Sequence, residues 1–304
     1  MAIPAREDLT VPPIPSEYLD CVVFLYPTQA QAETGNTADG GTGFLASTPL
    51  DASTLLGPDQ VRALYVVTNR HCAERTPAIR LNTTDGAMEI ITPEQSEWHY
   101  HPDGDDVAVL PLGLASERPQ FQSVPVQSRH AGVVDEGWVV SEATFPKVQP
   151  GTDAFFVGRY VTHSGVQRNL PVVRFGSVAM TPTEPIEQGD GFKQDSFLVE
   201  ARSQSGFSGS PVFVYNTMAG GLGAIRAAMG ELSLVGIVCS HLPIQRPALD
   251  PTTRKPITQG FYVQENSNMA CVVPAWKIVE LIEQKKELIK LREAQKRKST
   301  IVPE

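Results

Sequence analysis

Three short stretches of this 304-residue chain carry side chains that together could perform nucleophilic acyl transfer. YVVTNRHC at 65–72 sets His71 just past a strand-like apolar run, and DDVAVLPL at 105–112 sets Asp106 at the mouth of another. SGFSGSPVF at 205–213 sets Ser208 between two glycines on a tight turn. A serine hydroxyl is a poor nucleophile near neutral pH and needs an adjacent base. An imidazole, with an ordinary pKa of about 6.5, can serve when a carboxylate fixes its tautomer and stabilises the imidazolium. Glycines on the Ser208 turn permit unusual backbone dihedrals, so the N–H groups of Gly206 and Ser208 can converge on a developing oxyanion. Each element alone is common. The order His, Asp, Ser, each in its own strand context, is specific.

The elements that must position these groups read as strands. Glycines and prolines cut the chain into short runs rich in Val, Phe, Tyr and Thr: Cys21–Tyr26, Thr42–Ala46, Leu64–Thr68, Asp106–Leu110, Ala154–Val161, Val172–Met180, Ser196–Ala201, Pro211–Tyr215 and Leu234–Ser240. Many short strands between turn residues predict an all-β barrel or sandwich, and no long helical periodicity in the middle of the chain supports a parallel α/β sheet. Two β units of similar size, roughly 17–125 and 135–275, divide the chain. Loops are expected at 27–41, 47–60, 181–193 and 244–260, and AGGLG at 219–223 reads as a flexible turn rather than a phosphate loop. One segment reads clearly as a helix. It begins after Pro274, places Ile278, Ile282 and Ile289 on one face with Leu281 and Leu288 beside them, and ends in a basic tail.

Composition excludes several classes. Hydrophobic residues make up 41% and charged residues 19%, an ordinary globular balance. The net charge of −9 and pI near 5.2 argue against nucleic-acid binding, although residues 283–298 are locally basic. That tail reads as a solvated helix docked by its first turns, with a regulatory protein partner as its other use. No apolar run is long enough for a membrane span, and the first residues do not read as a secretory signal. Cys21, Cys72, Cys239 and Cys271 form no CxxC pair, so reduced thiols in a cytoplasmic protein are expected. HYHPDG at 99–104 reads as a turn rather than a metal site. His130 and His163 have no companions at ligand spacing, and Trp98, Trp138 and Trp276 read as core or rim aromatics. No metal or other cofactor is expected.

TNRHC, DDVAVL and GFSGSPVF resemble the three signature segments of the trypsin/chymotrypsin-like serine peptidases, in the bacterial branch that includes glutamyl endopeptidases and HtrA-type proteases. GTGFLA at 41–46, LVGIVCSH at 234–241 and MACVVPAWKIVELI at 269–282 extend the resemblance over roughly 20–285. It implies two six-stranded antiparallel barrels with a C-terminal helix and a site in the cleft between them. The organisation would be an N-terminal extension 1–16, barrels 17–130 and 131–275, and a basic helix and tail 276–304. The resemblance makes His71 the base, Asp106 its orienting acid in preference to Asp103 and Asp105, Ser208 the nucleophile, and the Gly206 and Ser208 amides the oxyanion hole. It implies a protein or peptide substrate.

Departures from the pattern are informative. Secreted animal members carry an acid just before the serine that pairs with a new N-terminus; here that residue is Phe207, so activation by N-terminal insertion is not expected. The position of a disulfide partner for Cys72 falls on glycine near Gly40, so Cys72 is expected to be a free thiol. No PDZ module is expected after 285. The motif puts Arg202 at the base of the primary specificity pocket, with Cys239, Ser240 and His241 on its wall. Arg202 there, or His241, could favour an acidic side chain. Against that, Val238 stands where glutamyl-specific relatives place a histidine, and Arg202 could equally point into solvent. A protease-fold binding protein and a serine esterase are the competing readings, and the strand after Ser208 argues against an α/β-hydrolase elbow.

Overall fold

The computed structural model describes residues 14–35, 37–50, 61–125, 139–187, 191–215, 232–257 and 261–300. His130, Trp138 and the turn at 219–223 lie outside these residues. Strands of the first half are β1 (Val22–Tyr26), β2 (Gly41–Pro49), β3 (Arg62–Thr68), β4 (Ala78–Asn82), β5 (Met88–Ile91), β6 (His99–Tyr100), β7 (Ala108–Leu114) and β8 (Val124–Pro125). Short helices α1 (Glu17–Asp20), α2 (Gln29–Thr34) and α3 (Arg70–Arg75) punctuate them. The second half contributes β9 (Asp153–Gly158), β10 (Val172–Met180), β11 (Ile186–Glu187), β12 (Lys193–Gln194), β13 (Phe197–Glu200), β14 (Pro211–Tyr215), β15 (Leu232–Pro247) and β16 (Tyr262–Pro274). Helices α4 (Trp276–Gln284) and α5 (Lys286–Thr300) follow.

The second half closes as a six-stranded antiparallel barrel in the order β10-β13-β16-β15-β14-β9. The first half is an eight-stranded sheet, β5-β4-β1-β2-β3-β7-β6, with β8 pairing in parallel to β2. Among the described residues no pair joins its two ends. All five residues of β1 and all nine of β2 are buried, which explains why β1 reads as an unbroken apolar run. β10 is half-exposed, with Phe175 61% accessible. One cluster spans both halves and the C-terminal helix: Phe24, Phe44, Phe155, Phe213, Ile278 and Leu288 share it. Burying that apolar surface is the main force holding the halves together.

Several expectations change: α2 (Gln29–Thr34) stands within the loop expected at 27–41, and β11 (Ile186–Glu187) within that expected at 181–193. The C-terminal helix is two helices, broken at Lys285, whose extended backbone (ψ 113°) ends α4. Ile278, Leu281, Ile282 and Leu288 are buried as the periodicity required, Ile289 is only half-buried, and Arg292 donates to the carbonyl of Pro49 at 2.8 Å. The loop expected from 244 begins later, because β15 continues to Pro247 and pairs with β16 along an exposed arm. Among the described residues, no helix is long and apolar enough to cross a membrane.

Two fully buried arginines tie loops to this frame. Arg80, in the middle of β4, donates to Asn169 Oδ1 (2.7 Å) and to the carbonyls of Ala32, Ser164 and Gly165 (3.0 Å each). Arg159, at the end of β9, donates to the carbonyls of Asp39 and Thr37 at 2.6 Å, and its guanidinium lies 4.4 Å from the Tyr26 ring centre. Neither charge meets a carboxylate among these bonds; backbone dipoles solvate both. Arg80→Met would orphan several buried acceptors, each worth roughly 1–3 kcal/mol. Denaturant titration is expected to show a loss of about 3 kcal/mol or more of unfolding free energy.

Candidate active site

The turn that carries Ser208 is held from both halves. The N–H of Thr42, on β2, donates to the Ser208 carbonyl at 2.8 Å, and its hydroxyl donates to the Gly206 carbonyl at 2.6 Å. The same hydroxyl accepts from the Arg159 N–H, while Thr68 donates to the Thr42 carbonyl. From the barrel side, the Gly209 N–H donates to the carbonyl of Val238 at 2.7 Å. Gly206 (φ +96°) and Gly209 (φ +87°) both need glycine. A Cβ at Gly206 would lie 2.5 Å from Val161 Cγ1, and one at Gly209 would run into the Thr42 carbonyl. The N–H groups of Gly206 and Ser208 take no part in the turn's internal bonds.

His71 is the second residue of α3, directly after the buried end of β3. Asp106 lies in the loop before β7. Its Oδ2 is 2.7 Å from His71 Nδ1 and its Oδ1 accepts the His71 backbone N–H at 3.0 Å. Both carboxylate oxygens are therefore committed to one residue. The backbone of Asp106 is fixed in turn: its N–H donates to Gln194 Oε1 at 2.9 Å and its carbonyl accepts from Asn69 Nδ2 at 2.9 Å. Asp105 points elsewhere, into a separate ionic cluster, and Asp103 is an exposed loop residue.

His71 Nε2 faces the Cys72 thiol at 3.4 Å, and Ser208 Oγ donates to the carbonyl of Cys239 at 3.3 Å. The Ser208–His71 hydrogen bond is not formed. Catalytic hydrogen bonds are often made only when substrate arrives. Burial opposes a charged His71 ring, but the hydrogen bonds from Asp106 and Cys72 outweigh it and push its pKa up to about 10. All four cysteines are free and buried. The glycine opposite Cys72 is Gly41, next to Gly40 as expected: a Cβ on Gly41 would lie 2.6 Å from the Cys72 sulfur.

His71, Asp106 and Ser208 open onto one cleft of about 1020 Å³, lined also by Gly206, Cys239, Ser240 and His241. Arg202 is not in it. It is exposed along a shallow groove beside Phe175 and Asn268. The chain after β13 alternates, with Ala201 and Ser203 buried and Arg202 between them turned to solvent, so Ser203 takes the cleft position expected for Arg202. Phe207 fills the place of the absent acid; it is buried edge-on against Phe156 at 5.3 Å. Gln194, Asn69, Thr42 and Arg159 were not anticipated. Of these, Asn69 sits within TNRHC and Thr42 within GTGFLA, whereas Gln194 and Arg159 meet the site from parts of the chain without a motif. Among the described residues, no group of three or more His, Cys, Asp or Glu side chains could hold a metal ion.

The model of the trypsin-like peptidase domain matches residues 41–219, more than half of the chain, and the chain belongs to that family. The family is one of serine proteases, hydrolases that act on proteins or peptides. No curated protein matches the chain in sequence. Similar solved structures include the HtrA-type protease AlgW with a tripeptide, at TM-score 0.46 and 14% identity over 88% of this chain and 62% of that one. The chain therefore spans less than two thirds of that relative. Others are the MamO protease domain from Magnetospirillum magneticum (0.41, 18%, 87% and 96%) and a serine endoprotease from Yersinia pestis (0.45, 14%, 92% and 68%).

Because the folded pKa of His71 exceeds its ordinary 6.5, protonation there stabilises the fold. That contribution is complete below about 6.5 and is lost as pH rises through about 10. An imidazole NMR titration is expected to find the His71 midpoint near 10, and Cys72→Ala to lower it. Gly41→Cys is expected to close a disulfide with Cys72 under oxidising conditions, seen as loss of both thiols, and to lower the same midpoint by withdrawing the thiol from Nε2.

Proposed function

We propose that this chain is a serine endopeptidase that cleaves peptide bonds through His71, Asp106 and Ser208. The observation that carries the reading is the Asp106 carboxylate, which holds His71 by both its ring and its backbone N–H on the same cleft as Ser208. In the reaction, the Ser208 hydroxyl turns from the Cys239 carbonyl and attacks the scissile carbonyl carbon as His71 Nε2 takes its proton. The N–H groups of Gly206 and Ser208 stabilise the oxyanion, and Asp106 stabilises the imidazolium. Collapse breaks the C–N bond, the leaving amine takes the proton from His71, and water then hydrolyses the acyl-enzyme by the same path in reverse.

The substrate channel belongs to this proposal. Cys239, Ser240 and His241 line the wall beside Ser208, with Ser203 also on the cleft, and His241 is the basic side chain among these four. A reducing, cytoplasmic setting is also proposed, and the four free thiols support it. Every reacting group is present, which supports a restrained resting enzyme over a silent scaffold. The exposed basic face of α5 is the proposed docking site of a regulatory partner.

A fluorophosphonate probe is expected to label the wild-type protein and not Ser208→Ala. Asp106→Asn is expected to slow labelling by on the order of 10⁴-fold. Peptide-library cleavage by the wild type separates a peptidase from an esterase. Equal labelling of wild type and Ser208→Ala would overturn the assignment of the nucleophile.

A further inference from the structure

Away from the cleft, five ionisable side chains gather where α4 meets the loop before β7 and the chain after β12. Lys277, on α4, places Nζ 3.2 Å from Asp105 Oδ2, 3.1 Å from Asp195 Oδ2 and 3.5 Å from Glu280 Oε2. His101, with a fully buried side chain, sits between Asp105 (Nδ1 to Oδ2, 3.2 Å) and Glu280 (Nε2 to Oε2, 3.4 Å). Burial opposes the Lys277 charge, but Asp105 and Asp195 outweigh it and hold the ammonium well above the ordinary lysine pKa.

What this cluster grips matters more than its charge. Asp105 immediately precedes Asp106, whose two oxygens orient His71. Asp195 immediately follows Gln194, whose Oε1 accepts the Asp106 N–H. Lys277 thus bridges the segment that carries Asp106 and the segment that carries Gln194, each one residue from the Gln194–Asp106 contact. The segments are otherwise joined at this point by the Gln194–Asp106 bond, and α4 is anchored independently by Ile278, Leu281 and Ile282.

We propose that Lys277 is a positioning residue for the His71–Asp106 pair, acting through Asp105 and Asp195, so that the C-terminal helix sets the competence of the site. The proposal rests on the serine-peptidase reading for its role in catalysis, but not for its geometry. Anything that pulls α4 from its seat releases Asp106 from one side.

The test compares Lys277→Met, Lys277→Arg and Ile278→Ala with the wild type, reading fluorophosphonate labelling rate, melting temperature and the His71 imidazole titration. Lys277→Met is expected to slow labelling by roughly 10- to 100-fold, and Lys277→Arg to restore most of the rate. The titration supplies a sign that a merely structural or long-range role would not give. Removing a cation from a cluster with Asp105, Asp195, Glu280 and His101 raises the His71 midpoint through space; loosening Asp106, with Cys72 still in place, lowers it. A downward shift in Lys277→Met supports the proposal. No downward shift in Lys277→Met overturns it, whatever the labelling rate; Ile278→Ala, which loosens the seat of α4, is expected to shift the midpoint the same way as Lys277→Met. If the wild type does not label at all, the peptidase reading fails on its own, and the His71 titration still decides the role of Lys277.

Discussion

Everything in this site hangs on one carboxylate with no oxygen to spare. Asp106 spends Oδ2 on the His71 ring and Oδ1 on the His71 backbone N–H, which fixes the ring's tautomer and its place on α3 together. A carboxylate used this way cannot also hold itself in position, so its backbone must be held by others. Gln194 and Asn69 do that from opposite sides, one from the barrel half and one from the turn before α3. The usual trade between flexibility of a loop and precision of a catalytic group is settled here by committing the loop's own amide and carbonyl.

The same division of labour joins the halves. Thr42, fully buried on β2, meets the Ser208 turn through its amide and hydroxyl, and its hydroxyl also receives the amide of Arg159 from β9. The base and acid arise on the first sheet and the serine on the barrel. Their register therefore depends on a few polar bonds embedded in the shared apolar cluster, and a half-satisfied set would be worse than none. Arg159 extends the arrangement outward by holding the carbonyls of Thr37 and Asp39, next to residues that form one wall of the cleft.

The sequence showed what is local. His71, Asp106 and Ser208 each sit beside an apolar strand, and the structure places all three on one cleft. Val172–Met180 and Pro211–Tyr215 have the bounds that their β-branched and aromatic content suggested. β4 escaped because Arg80 interrupts its apolar run, and the outer half of β16 because QENSN gives a two-sided polar strand no pattern. The halves differ too: a closed six-stranded barrel stands in the second, whereas the first carries eight strands, two of them only two residues long. Arg202 takes the solvent-facing of its two open readings, since in an extended stretch neighbouring side chains face opposite ways and Ala201 and Ser203 are the buried ones. Gln194 and Lys277 were illegible for another reason, as each acts on Asp106 from far along the chain.

The resting geometry looks at first like an obstacle, with Ser208 bonded to a carbonyl and His71 facing a thiol. Magnitudes argue otherwise. A neutral hydrogen bond exchanged for another is worth only about 0.5–1.5 kcal/mol, and a thiol is a weak partner. Turning Ser208 toward His71 is therefore a small cost beside the roughly 8–23 kcal/mol by which enzymes lower barriers. The harder condition is electrostatic. A ring held protonated up to a pH of about 10 cannot accept a proton, so a working base must first lose one of the contacts that favour its charge. Asp106 is fixed from two sides, whereas Cys72 is bound to the ring by a single weak contact. Losing the thiol contact would leave the carboxylate in place to stabilise the imidazolium that the attack creates.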